Sequence, residues 1–205
     1  GNAQGGTITI AATGASTLRA TGDLYADASG NVVAADNVGT GAGGDVTISA
    51  TSGATIRIAD TLTAIASGGS FTNGLPGSAG NGTGGNIDLT ADLSGTITTP
   101  NYNLDARATV ANVRGSNGTA QGGRIAMTSL NGGLIASTGI GIDVISVDAL
   151  SGYSQTGSSA TGGDIVIDAA LRDLANTPAG DLDGQLQAGE AVHRTLQGRL
   201  TDLGG

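Results

Sequence analysis

The residues of this chain whose types could do chemistry are acids and amides set beside glycines. Asp23, Asp36, Asn37, Asp60, Asn73, Asn81, Asn101 and Asp143 stand in or near glycine-rich stretches, and such oxygens are the ligands Ca²⁺ takes. The nine-residue Ca²⁺-binding repeat needs Gly-Gly-x-Gly-x-Asp in close succession, and Gly43-Gly44-Asp45-Val46 departs from it. Solvated turn residues are the simpler reading. Gly39-Thr40-Gly41-Ala42-Gly43-Gly44 matches a dinucleotide-binding glycine pattern on paper. That pattern needs a strand before it and a helix N-terminus after it, and here a strand pattern follows.

Asp181 and Asp183 are two residues apart, so on a strand they would share a face, as a sugar-cleaving carboxylate pair could. A sugar groove would also want aromatic residues, and these are only Tyr25, Phe71, Tyr102 and Tyr153. His193 is the single histidine, so the chain cannot build a His-based zinc cluster by itself. A Ser-His-Asp triad would lack the Gly-x-Ser-x-Gly elbow. Thr7, Thr9, Thr47, Thr55, Thr90, Thr96 and Thr98 suggest an ice-binding face, but Thr7-Ile8-Thr9 gives way to Asp45-Val46-Thr47 and Asn86-Ile87-Asp88. High β-propensity explains these threonines. Asn81-Gly82-Thr83 and Asn117-Gly118-Thr119 are formal glycosylation sequons that read as turns. The expectation is a non-enzyme with no catalytic, metal or cofactor site.

The elements that must position these residues are set by a repeat. Gly43-Gly44-Asp45-Val46-Thr47-Ile48 is a glycine pair followed by alternating polar and apolar residues. Gly5-Gly6-Thr7-Ile8, Gly84-Gly85-Asn86-Ile87, Gly122-Gly123-Arg124-Ile125 and Gly162-Gly163-Asp164-Ile165 repeat it, and Gly204-Gly205 has the phase of a sixth copy. The spacings are 38, 41, 38, 40 and 42 residues. A period of this size signals a solenoid, propeller or array. Each repeat continues with two more alternating segments: Leu18 and Ala20, then Leu24, Ala26 and Ala28 in the first; Ile56 and Ile58, then Leu62, Ala64 and Ala66 in the second. The third offers Ile97, then Leu104, Ala106 and Ala108; the fourth offers Leu134 or Ile135, then Ile142 and Val144. Alternation with period two is the strand signature.

The reading is an all-β, right-handed parallel β-helix of about five coils, each about 40 residues long. Three strands form each coil, and the tails 29–42, 67–83, 109–121 and 149–161 form glycine-rich loops or an irregular fourth side. Apolar Val32, Val33, Val110 and Val113 suggest that the tails also stack. Residues 1–168 carry the regular coils. Residues 169–205 read as a degenerate fifth coil, because Gly180-Asp181-Leu182-Asp183 echoes Gly22-Asp23-Leu24-Tyr25, or as a capping segment with a helical turn near 190–202.

Composition excludes several partners. The chain has 205 residues, 38 of them glycine, with no cysteine or tryptophan. Its net charge is −9 with only 8 Lys plus Arg, so nucleic acid and anionic lipid headgroups are poor partners. Without cysteine there are no disulfides and no thiolate chemistry. No run of 18 apolar residues predicts membrane insertion, and a start and end within the repeat phase suggest an excised piece of a longer protein.

The Gly-Gly-x-Ile-x-Ile strands with Leu-x-Ala-x-Ala partners over about 1–170 resemble the large bacterial exoproteins of the filamentous-haemagglutinin and autotransporter-adhesin kind. That resemblance implies a secreted or cell-surface stalk used in adhesion or biofilm formation, with neighbouring repeats or further copies end to end as partners. The alternatives are a module binding carbohydrate or host protein through the tail loops, around Phe71 and Tyr153, and a polysaccharide-degrading enzyme.

Overall fold

Parallel pairing builds the whole of the described structure. The computed structural model describes residues 1–34, 39–72, 80–112, 118–138, 144–146, 149–151 and 159–169, which contain no helix. All of them belong to the unit Gly1–Ala170; Leu171–Gly205 forms a second unit, so the expectations for 170–205 lie outside the described residues.

Each repeat supplies five strands. The first gives β1 (Ala3–Gln4), β2 (Thr7–Thr13), β3 (Thr17–Ala20), β4 (Leu24–Asp27) and β5 (Gly30–Ala34). The second gives β6 (Gly41–Ala42), β7 (Asp45–Thr51), β8 (Thr55–Ile58), β9 (Thr61–Ile65) and β10 (Gly68–Thr72). The third gives β11 (Gly82–Thr83), β12 (Asn86–Asp92), β13 (Thr96–Thr99), β14 (Asn101–Asp105) and β15 (Ala108–Asn112). The fourth gives β16 (Thr119–Gln121), β17 (Arg124–Ser129), β18 (Leu134–Ser137), β19 (Val144–Ser146) and β20 (Ala149–Ser151). The fifth opening contributes β21 (Ser159–Thr161) and β22 (Asp164–Ala169).

Equivalent strands line up in five sheets, two of five strands and three of four, so the fold is a β-solenoid. Thr7 pairs with Asp45, Asp45 with Asn86, Asn86 with Arg124 and Arg124 with Asp164, as the glycine-pair spacing requires. The alternating residues then stack inward. Val46, Ile48, Ile56, Leu62, Ile87, Leu89, Ile97, Leu104 and Ile125 are all fully buried in one core. Each side chain removed from water contributes on the order of 1.5–3 kcal/mol, against the entropy of ordering the chain.

The tails form walls of the solenoid rather than loops alone. β5, β10, β15 and β20 form one sheet, and β1, β6, β11, β16 and β21 form another. Between them lies a second, small core of Ala108, Val110 and Ala120. Val32, Ser70 and Val110 stack in register there, all buried. The Ser70 hydroxyl has no hydrogen-bond partner among the described residues.

The glycine pairs separate the two cores. The Gly44 N–H donates to the Ala28 carbonyl at 2.8 Å, Gly85 to Ala66 at 2.6 Å and Gly123 to Ala106 at 2.8 Å. These bonds cross the interior, drawing two walls together backbone to backbone. A Cβ on Gly43 would lie 1.9 Å from the Ala66 carbonyl oxygen, and one on Gly84 would lie 2.0 Å from that of Ala106. The first glycine of the pair therefore leaves the space that the cross-wall hydrogen bond occupies.

Two registers differ from those read in the sequence. Leu62 pairs with Tyr102, and Leu104 with Ala64. The corner at Pro100 is one residue shorter than that at Ala59-Asp60, so counting from the glycine pair misplaces the third repeat. Because the slip in assigned partners is two residues, Leu104 still points inward. In the fourth repeat Ile145 falls opposite Leu104, the place the sequence reading gave to Ile142, and Val144 falls opposite Asn103; Ile142 itself lies outside the described residues. Ile135 pairs with Ile97 and joins the core, whereas Leu134 is exposed.

Tight turns link the first and second strands of a repeat. In Asp92–Gly95 the central residues Leu93 and Ser94 have φ of 48° and 63°, and the Gly95 N–H donates to the Asp92 carbonyl at 2.9 Å. Thr51–Ala54 and Leu130–Gly133 have the same form, with Ser52-Gly53 and Asn131-Gly132 at the centre. These are type I′ turns, which favour Asn and Gly. Leu93 is exposed and strained, at a conformation that costs a non-glycine residue about 1–2 kcal/mol. Leu93→Asn, the residue Asn131 supplies in the next repeat, is expected to stabilise the protein by about 0.5–1 kcal/mol in urea titration.

Candidate functional site

Beside the glycine constriction the surface of the described structure is concave. A shallow groove of about 240 Å³ runs over Gly84, Gly122, Gly123, Gly162 and Gly163. Thr83 and Gln121 form one bank; Asn86, Arg124 and Asp164 form the other. Both banks follow from the repeat: residues flanking a glycine pair stack on their counterparts one repeat away. Without side chains the glycines leave the floor open.

The bank residues make bonds along the stack. Arg124 meets Asp88 at 2.8 Å, and the Asn86 amide donates to Asp45 at 2.8 Å. Both members of the ion pair are about half exposed, so it is worth roughly 0–1 kcal/mol. The groove thus presents guanidinium, carboxylate, amide and hydroxyl groups able to hydrogen-bond a polar ligand. Sequence reading missed it, although stacking the residues before and after each glycine pair would have lined up the banks.

Elsewhere the acids and amides bond to backbone N–H groups and to neighbouring side chains. Asp23 accepts from the Thr61 N–H at 3.0 Å, Asp60 from the Thr61 hydroxyl at 3.5 Å, and Asn81 from the Thr119 N–H at 3.1 Å. Asn2 caps Thr40 in the same way as Asn81 caps Thr119. Asp105 takes both the Arg107 N–H and its guanidinium where the chain bends into the constriction. At the matching bend Asp27 accepts from the Ser29 N–H at 2.8 Å. Burial opposes Asp27 ionisation, but hydrogen bonds from Ser29 and Tyr25 outweigh it and hold the carboxyl below its ordinary pKa. Tyr25, 62% exposed, reaches Asp27 at 3.3 Å. Slight burial and the adjacent Asp27 charge raise its hydroxyl pKa.

Asp36, Asn37, Asn73, Asn117, Asp143, Tyr153, Asp181, Asp183 and His193 lie outside the described residues. Asn101 pairs with Thr61, whose N–H donates to Asp23 and whose hydroxyl meets Asp60, so Asn101, Asp23 and Asp60 meet at one corner of the stack; among the described residues no three His, Cys, Asp or Glu side chains gather as a metal site would require. Gly39–Gly44 leads into strand β7, not a helix. The threonine columns are broken: Thr7, Asp45, Asn86 and Arg124 share one ladder, and Thr55, Thr96 and Leu134 another. Among the described residues no helix is long and apolar enough to cross a membrane. No protein-family model, curated protein or solved structure matches the chain.

Proposed function

We propose that the chain is a non-catalytic structural segment, a stalk or shaft, of a secreted or cell-surface bacterial adhesin or extracellular filament. The supporting observation is the unbroken inward ladder, in which Val46, Ile87 and Ile125 stack in register with no exposed surface. Stacked repeats gain length by adding copies, each held by its neighbours, which suits a spacer. In this reading the coils number about five and wind right-handed, the general preference of parallel crossovers. The likeness of the repeats to large bacterial exoproteins adds the surface location. The groove beside Arg124 favours a second reading, a module binding carbohydrate or a host protein.

Immunogold labelling of intact cells producing the parent protein, with antibody to residues 1–170, tests the shaft. Label on the cell exterior, removed by external protease, is the expected result. Label confined within the cell overturns the proposal. Replacing Arg124 and Gln121 by Ala is expected to leave this display unchanged; loss of attachment to a glycan array in that variant would favour the binding reading.

A further inference from the structure

We propose that Arg19 and Arg57, side by side on the outward face of the sheet formed by β3, β8, β13 and β18, bind an oxyanion. The group is a carboxylate or sulfate carried on an otherwise uncharged ligand. The site stands apart from the groove beside Arg124, and the shaft reading does not need it.

The register creates the pair. β3 and β8 align so that Arg19 lies opposite Arg57 and Thr17 opposite Thr55. β13 continues the sheet on the other side of β8, with Thr98 opposite Arg57 and Thr96 opposite Thr55. Ile56 and Ile58 are buried, so alternation turns Arg57 outward, and both arginines are exposed. Neighbouring strands stand roughly 4.8 Å apart, which sets two positive side chains next to each other. Arg57 has a described strand on each side, so its place on this face does not depend on either end of the stack.

Like charges directly opposite on a sheet are destabilising. Arg107 and Arg124 are placed otherwise: they meet Asp105 and Asp88 at 2.6 and 2.8 Å. Arg19 and Arg57 have no acid within ion-pair distance among the described residues. The nearest carboxylates along the chain, Asp23 and Asp60, accept hydrogen bonds from Thr61 instead. The whole sheet shares this character. Strands β3, β8, β13 and β18 contain no Asp or Glu, although the chain carries 17 acids against 8 Lys plus Arg. The sheets that precede and follow it in each repeat hold Asp45, Asp88 and Asp92, and Asp27 and Asp105. In a chain of net charge −9, such a face draws a compact anion, while the surrounding field repels a ligand that carries many negative charges.

The chemistry of the pair fits one such group. A guanidinium is a planar fork of N–H donors that matches two oxygens of a carboxylate or sulfate. Two forks side by side can grip one oxyanion between them, and its charge removes their mutual repulsion. Thr17, Thr55, Thr96 and Thr98 lie at the other outward positions of β3, β8 and β13. Their hydroxyls can donate to or accept from the polar body that carries the anion.

NMR of the ¹⁵N-labelled full chain, read at the arginine Nε–Hε signals, tests the site. Sodium sulfate and sodium glucuronate are the probes, and sodium chloride at equal ionic strength is the control. Saturating shifts at Arg19 and Arg57 are expected with at least one probe and not with chloride. A stronger response to glucuronate names a carboxylate, and a stronger response to sulfate names a sulfate ester. Arg57→Thr, which copies the residue at position 98, is expected to weaken binding at least about tenfold. Its melting temperature is expected to hold or rise, because the like-charge contact is gone. Equal shifts at Arg107 and Arg124, or the same response to chloride, would show plain charge screening and overturn the proposal. A fall in the melting temperature of Arg57→Thr would mark the arginine as a structural part of the sheet and overturn it too. Neither result bears on the shaft reading, which immunogold labelling tests separately.

Discussion

Gly84→Ala is expected to destabilise the protein by about 3 kcal/mol or more, enough to leave much of it unfolded. The added methyl carbon would lie 2.0 Å from the Ala106 carbonyl oxygen and 2.4 Å from the Gly123 nitrogen. Those atoms are the two ends of the hydrogen bond that closes the constriction, at 2.8 Å. Backbone atoms of neighbouring walls cannot move aside as a flexible side chain can. The substitution must therefore break the bond or part the walls, and both cores meet there. Gly22→Ala is the control: nothing lies within 4 Å of its new methyl group, and stability is expected to hold or rise slightly. Urea titration of the two variants measures the difference, and equal midpoints would refute the constriction as a structural necessity.

Tyr102→Ala is expected to cost about 3–5 kcal/mol, as truncation of a buried aromatic does. Tyr102 is 1% exposed, occupies the ladder position of Leu62 and, among the described residues, is the one aromatic ring in the main core. Its hydroxyl donates to the Ala136 carbonyl at 3.2 Å. Tyr102→Phe keeps the ring and loses that bond, for about 1 kcal/mol. Burial also pushes the Tyr102 pKa well above its ordinary value of 10.0. The folded state keeps a proton that the unfolded chain releases, so this stabilisation is complete below pH 10 and declines as pH rises above it. Native protein should therefore lose stability more steeply above pH 10 than Tyr102→Phe. Parallel curves for the two would show that the hydroxyl is not shielded from solvent.

The period and the inward ladder were legible because a glycine pair and strict alternation mark both phase and face. Val46, Ile87 and Ile125 could be aligned by counting. The constriction was not legible, since a glycine in a sequence does not say what its missing side chain would have struck. Gly43, Gly44 and Gly22 look alike on paper, yet only the first two face backbone atoms at less than 2 Å. The Tyr102 register was hidden by the short corner at Pro100, which moves the count by one residue; matching Leu104 to Leu62 misses the true partner by two and so keeps the inward parity. The tail strands were suggested only by valines, because glycine-rich strands such as β6 and β11 carry almost no apolar pattern. The groove beside Arg124 needed both banks to be seen together, and they come from separate sheets.

The central claim is that residues 1–170 are a stack of coils whose strands lie across the stacking axis. Nuclear Overhauser spectroscopy of the isotopically labelled protein tests it most directly. Backbone contacts are expected between residues one repeat apart, such as Val46 with Ile87 and Ile87 with Ile125, as stacked parallel strands require. Contacts between strands adjacent in sequence instead, as antiparallel hairpins give, would contradict it.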